Sequence, residues 1–127
     1  MKDPKKLSVF KLADALVPVV YTATAHFPDS ERFGLTSQIR RASVSVPSNL
    51  VEGCTRESPA DFRRFVEIAF GSAAELQYQL SLAIRLDFPK GPVLPIKQVT
   101  ELEQAEALSV ELCKALNGFL QVLRSES

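Results

Sequence analysis

Apolar residues return every third or fourth position along four stretches of this 127-residue chain. That repeat suits helices and leaves almost nothing that could pair as a sheet. In the first stretch Val9, Leu12, Leu16, Val20, Ala23 and Phe27 fall on one face, which predicts a helix over 8–27. Ser8 is placed to cap it, with Leu7 as a hydrophobic staple, and Phe27-Pro28-Asp29 ends it and caps the next. The second stretch, 30–56, holds an ambiguity. Ala42 to Val46 alternates with period two, a strand pattern taken alone. Its flanks keep the helical step through Leu35, Ile39, Ala42, Val46, Leu50 and Gly53, and no second strand-like run exists to pair with it. A helix is therefore expected, bent at Pro47 as the first is at Pro18.

Ser58-Pro59-Ala60-Asp61 combines a cap, a proline at the first helical position and a carboxylate near the positive end of the helix dipole. It starts a third helix over 59–87. Phe62, Phe65, Ala69, Ala73, Leu76, Leu80 and Ala83 make one stripe, while Val66, Ile68, Phe70, Ala74, Tyr78, Leu82, Ile84 and Leu86 put apolar surface on the other sides. Such a helix must be covered on more than one side. Residues 88–95 hold three prolines and a glycine and read as a loop. A fourth helix over 96–123 turns Val99, Leu102, Ala105, Leu112, Leu116, Phe119 and Leu123 inward and an acidic face outward. Together these predict a single all-α domain over 1–127, an antiparallel up-down-up-down four-helix bundle. The surplus apolar surface of the third helix predicts a homo-oligomer.

Composition then excludes most chemistry. Fifteen basic residues balance fifteen acidic ones, so the molecule as a whole is not a polybasic nucleic-acid binder. One histidine and two cysteines leave almost no material for a metal site, and no cofactor motif occurs. The apolar run after the basic residues 2–6 is broken by Lys11 and Asp14, so neither a signal peptide nor a membrane span is expected. A cytoplasmic protein with reduced thiols fits. Cys54 and Cys113 read as half-buried thiols, although Arg56 near Cys54 leaves open a more acidic one. His26 has no catalytic partner nearby in sequence and reads as structural or solvated. Glu52 and Glu75 are able to approach across two helices, but the Glu-x-x-His pairs of di-iron bundles are missing. A non-enzymatic protein is expected.

A polar line, Gln38, Arg41, Ser45, Asn49, Glu52 and Arg56, shares one face of the second helix, and Arg64, Ser72, Glu75 and Gln79 offer a matching line on the third. One reading is a solvated face. The other is a hydrogen-bonding duty within the bundle, between subunits or to a ligand, since Ser and Asn are poor interior helix formers.

The run from Phe27 to Ala42, followed by Ser45-Val46-Pro47-Ser48-Asn49-Leu50-Val51-Glu52-Gly53, resembles the four-helix-bundle proteins encoded within 23S rRNA intervening sequences. Asp61-Phe62, Phe65, Ile68-Ala69, Gly71-Ser72 and Glu75-Leu76 continue the likeness, which is dense over 7–86 and thin afterwards. Val51 departs from it, standing where that family usually carries alanine. The resemblance implies a cone- or ring-shaped homopentamer. It extends to the accessory protein of diversity-generating retroelements, a pentameric barrel that contacts RNA and a reverse transcriptase. Association with RNA or a ribonucleoprotein is what that relation implies.

Charge is the physical counterpart. Residues 1–64 hold ten Lys/Arg and seven Asp/Glu, and residues 65–127 hold five and eight, a mild asymmetry. Arg40, Arg41, Arg56, Arg63 and Arg64 are the candidate nucleic-acid contacts, with Arg56, Arg63 and Arg64 expected to cluster at one end of the bundle. Repeated around an oligomer, that end becomes a basic ring. The competing reading is internal pairing, Arg56 with Glu57 or Glu52 and Arg64 with Asp61 or Glu67. No aromatic-interleaved motif for single strands is visible along the sequence.

Overall fold

The computed structural model describes residues 2–88 and 96–126, and for residues 96–100 the backbone alone. Four helices carry the fold: α1 (Ser8–Thr24), α2 (Leu35–Cys54), α3 (Pro59–Arg85) and α4 (Ile96–Ser125). Each packs on its two neighbours in a closed ring, α1 on α2, α2 on α3, α3 on α4 and α4 on α1. Directions alternate. Lys2 N–H donates to the Cys54 carbonyl while Arg40 reaches Tyr21 and Thr24, so α1 and α2 are antiparallel. Ser45 meets Ser72 and Gly53 meets Phe65, which does the same for α2 and α3. The core runs along the axis through Leu16, Val20, Ile39, Val46, Leu50, Val66, Leu76, Leu80, Leu102, Leu112, Leu116 and Leu120. Residues 42–46, ambiguous as sequence, lie within α2, which continues without a break through Pro47, as α1 does through Pro18.

The helix ends differ from expectation where local chemistry intervenes. Leu7, not Ser8, occupies the N-cap of α1 and makes no side-chain bond there. α1 stops at Thr24 rather than 27, and Phe27 closes a turn onto the Thr24 carbonyl. α2 starts at Leu35 rather than 30, because Pro28 initiates a short 3-10 turn over Asp29–Glu31. Gly34 at the N-cap of α2 has no side chain to offer. Glu31 supplies the missing cap, its Oε1 accepting from Leu35 N–H at 3.0 Å. α2 also ends at Cys54 rather than 56, and α4 runs to Ser125 rather than 123. The start of α3 is as read, with Ser58 Oγ accepting from Asp61 N–H at 3.0 Å. α3 ends at Arg85 rather than 87, in a Schellman-type turn. Asp87 takes φ 63°, Asp87 N–H bonds Ile84 O, and Phe88 N–H bonds Ala83 O. The loop expected over 88–95 lies outside the described residues beyond Phe88.

Two core assignments shift. Leu12 is 40% exposed and Ala13 is buried in its place, between the buried Val9 and Leu16. On α4, Ser109 and Leu120 are buried although neither was expected there. The Ser109 hydroxyl satisfies itself by donating to the Glu106 carbonyl. The surplus on α3 is also smaller than its sequence suggests. α3 sits between α2 and α4, so Val66 is buried and Phe70 and Ile84 pack against the core. Ile68, Tyr78 and Leu86 remain exposed.

Candidate nucleic-acid interface

The polar line on α2 divides into three parts. In its middle, Ser45 and Ser72 share a hydrogen bond of 2.9 Å between α2 and α3, and Asn49 Nδ2 donates to the Ser45 carbonyl and hydroxyl at 2.8 and 3.1 Å. This is a half-buried latch between two helices, which answers why Ser and Asn stand there. Glu52 and Glu75 are not brought together. Glu52 accepts from Arg56 and Glu75 accepts from Gln79, roughly 15 Å apart along the bundle at 1.5 Å per residue.

At the α2–α3 turn the arginines find carboxylates. Arg56 bonds Glu52 at 3.1 Å, Arg64 lies 3.7 Å from Asp61, and Arg63 lies 3.9 Å from Glu67, which Arg124 also reaches at 3.4 Å. Arg56 and Arg64 both stack against Phe65, 4.7 and 4.6 Å from its centroid. The expected basic cluster at this end is therefore drawn into ion pairs and ring contacts. The reason is spacing, since each arginine has an acid three or four positions away on the same helix turn.

Arg40 and Arg41 lie at the opposite end. Arg40 donates through Nε to Thr24 Oγ1 at 2.9 Å and through an Nη to the Tyr21 carbonyl at 3.3 Å, with its guanidinium 4.6 Å from the Tyr21 ring centre. Arg41 donates to Gln38 Oε1 at 2.9 Å, so Gln38, too, serves its own helix. Between them and the α1–α2 connection runs an open groove of about 670 Å3, lined by Tyr21, Arg32, Phe33, Arg40, Arg41 and Val44 among others, with no acidic residue. Phe33 is 89% exposed, and Arg32 lies 5.3 Å from its ring centre. Arg32, Arg40 and Arg41 make no ion pair with any described carboxylate. Glu75, across a neighbouring cleft from Arg41, is engaged by Gln79. Sequence reasoning missed Tyr21, Arg32 and Phe33. The available signal was the Arg32-Phe33-Gly34 triplet, whose glycine stands at the N-cap of α2.

The thiols are held in their neutral form. Burial pushes Cys54 up, against a smaller lowering influence from Lys2, and burial alone raises Cys113. Proximity to Arg56 in sequence thus does not make Cys54 acidic. Val51 is exposed at the surface beside Pro4 and Thr55, so its extra bulk does not enter the core. His26 is exposed at the end of α1. Among the described residues no His, Cys, Asp and Glu come together as a metal site, and no helix is long and apolar enough to cross a membrane.

Comparison with protein families matches residues 5–118 to the 23S rRNA-intervening sequence protein. The chain belongs to that family. A solved structure similar to it is a protein with unknown function from the S23 ribosomal protein family of Bacteroides thetaiotaomicron. The two are 25% identical and superpose with a TM-score of 0.64, over 88% of this chain and 94% of the other. No curated protein matches the sequence. The family's match spans α1 to α3 and most of α4, so the groove and the ion-paired turn both fall within it.

Proposed function

We propose that this member of the family is a non-enzymatic homo-oligomer, of five subunits as its resemblance implies, that associates with RNA or an RNA–protein assembly. The observation that carries the reading is the set of three arginines, Arg32, Arg40 and Arg41, sharing one surface with no carboxylate partner. A guanidinium bonded only to neutral oxygens or an aromatic ring keeps its charge available to phosphate. Ile68 and Tyr78, exposed on α3, and Leu86 at its C-cap support the oligomer, with the exposed Gly71 and Ala74 between them allowing close approach. Fivefold repetition multiplies a modest charge surplus into a surface able to hold a polyanion.

Filter binding of structured RNA tests the association, with affinity expected to fall steeply as salt rises; no binding at ~50 mM salt overturns it. Light scattering tests assembly. Five chains of 14.0 kDa give about 70 kDa, and a chain that stays monomeric at micromolar concentration removes the oligomer. For the α2–α3 turn a second reading is favoured by its ion pairs and the Ser45–Ser72–Asn49 latch: that end serves as scaffold. Arg56→Ala with Arg64→Ala then weakens packing or assembly and leaves RNA affinity nearly unchanged.

A further inference from the structure

We propose that the groove between the C-terminal end of α1 and the start of α2 takes unpaired bases of single-stranded RNA, with Phe33 as the stacking face and Arg32, Arg40 and Arg41 as phosphate contacts. This rests on the reading of the protein as an RNA binder and adds which strands it selects and where. Phe33 is the most exposed large apolar residue of the described chain, at 89%. The turn holds it outward: Glu31 folds under α2 to cap it, leaving Arg32 and Phe33 on the groove side. The guanidinium groups on Phe33 and Tyr21 give the two rings cationic neighbours. A groove with aromatic faces, three cations and no acid is complementary to a polyanion with planar faces. Unpaired nucleotides supply both, whereas in a duplex the base faces are stacked away. A second copy of the same groove would bring arginine against arginine.

The protein has no tryptophan, so Phe33→Trp creates one tryptophan reporter per chain without removing the ring. The experiment titrates the assembled protein with an unstructured oligouridine and with an RNA duplex of equal phosphate number. Phe33→Ala is expected to weaken the single strand about tenfold with an unchanged salt slope, and to leave the duplex unchanged. Phe33→Trp restores affinity, and its emission is quenched by the single strand. Single-strand affinity indifferent to Phe33→Ala, in a protein that still binds RNA, overturns the groove while the RNA-binding reading stands. Binding of neither RNA overturns both. A change of assembled mass in Phe33→Ala also overturns the proposal, because the groove is then a contact between copies of the chain.

Discussion

At the α2–α3 turn Arg56, Arg63 and Arg64 each have a carboxylate within one helical turn, whereas at the opposite end Arg32, Arg40 and Arg41 lie against aromatic rings and neutral oxygens. Both ends are rich in arginine, yet only one keeps its charge available. The difference follows from what stands three and four residues away. Glu52, Glu67 and Asp61 flank the first set, while Thr36, Ser37, Gln38, Ser43, Val44 and Ser45 flank Arg40 and Arg41; Asp29 stands three before Arg32, yet the two form no ion pair. A count of arginines therefore locates a basic end less well than a count of arginines that form no ion pair in the fold. At the paired end Gly53 brings α2 close against Phe65 of α3, and the unpaired end is where the chain leaves an aromatic ring in water.

The largest test of this contrast is in RNA affinity. Arg40→Ala with Arg41→Ala is expected to lower it on the order of tenfold or more and to flatten the salt dependence by one to two counterions, roughly. Arg56→Ala with Arg64→Ala is expected to change it by less than about threefold, and equal losses from the two pairs in filter binding break the contrast. Next comes packing at the paired end. A Cβ on Gly53 would sit 2.8 Å from Phe65 Cβ, where neither backbone yields easily. Gly53→Ala should therefore cost roughly 1–3 kcal/mol in urea unfolding, and an unchanged midpoint would show the two helices are looser there.

A smaller effect of opposite sign belongs to the unpaired end. Asp87 holds a left-handed conformation at the close of α3, and Phe88, which follows it, meets Phe27 edge to face with ring centres 5.4 Å apart. Asp87→Gly should raise stability by about 1 kcal/mol in thermal unfolding, and a loss would mean the aspartate has a partner in the assembled protein. The smallest effect separates the arginines themselves. Arg56→Ala should cost about 0.5–1 kcal/mol, less at high salt, through its exposed pair with Glu52 and its stacking on Phe65. Arg41→Ala, bonded only to Gln38, should cost less in the same denaturation series. Cys54 should resist iodoacetamide in the folded protein at neutral pH and react on unfolding, as a buried neutral thiol does.

Much of this was legible along the chain. The Ser58-Pro59-Ala60-Asp61 start and the α2 and α3 stripes are local patterns, set by a backbone period that side chains must obey. The start of α2 was misplaced because its cap comes from Glu31, four residues back through a 3-10 turn, not from an adjacent hydroxyl. The Glu52–Arg56 and Asp61–Arg64 pairs were readable for the same reason as the stripes, being neighbours on one turn. The polar line was visible as a line, but its use as a latch required α3 to bring Ser72 opposite Ser45.

By itself, then, the sequence determined four helices, their order and most of the inward stripes, and it left the arginines of the α2–α3 turn open between phosphate contact and local pairing, since the first three depend on residues within a turn or two of each other. Only the tertiary structure decided how much of α3 one subunit covers, that Arg40 stacks on a tyrosine 19 positions away, and that Phe33 stands in water beside three cations with no carboxylate partner. Those outcomes depend on which helix ends meet, and that is settled by the packing of the whole ring rather than by the spacing along any one strand of it.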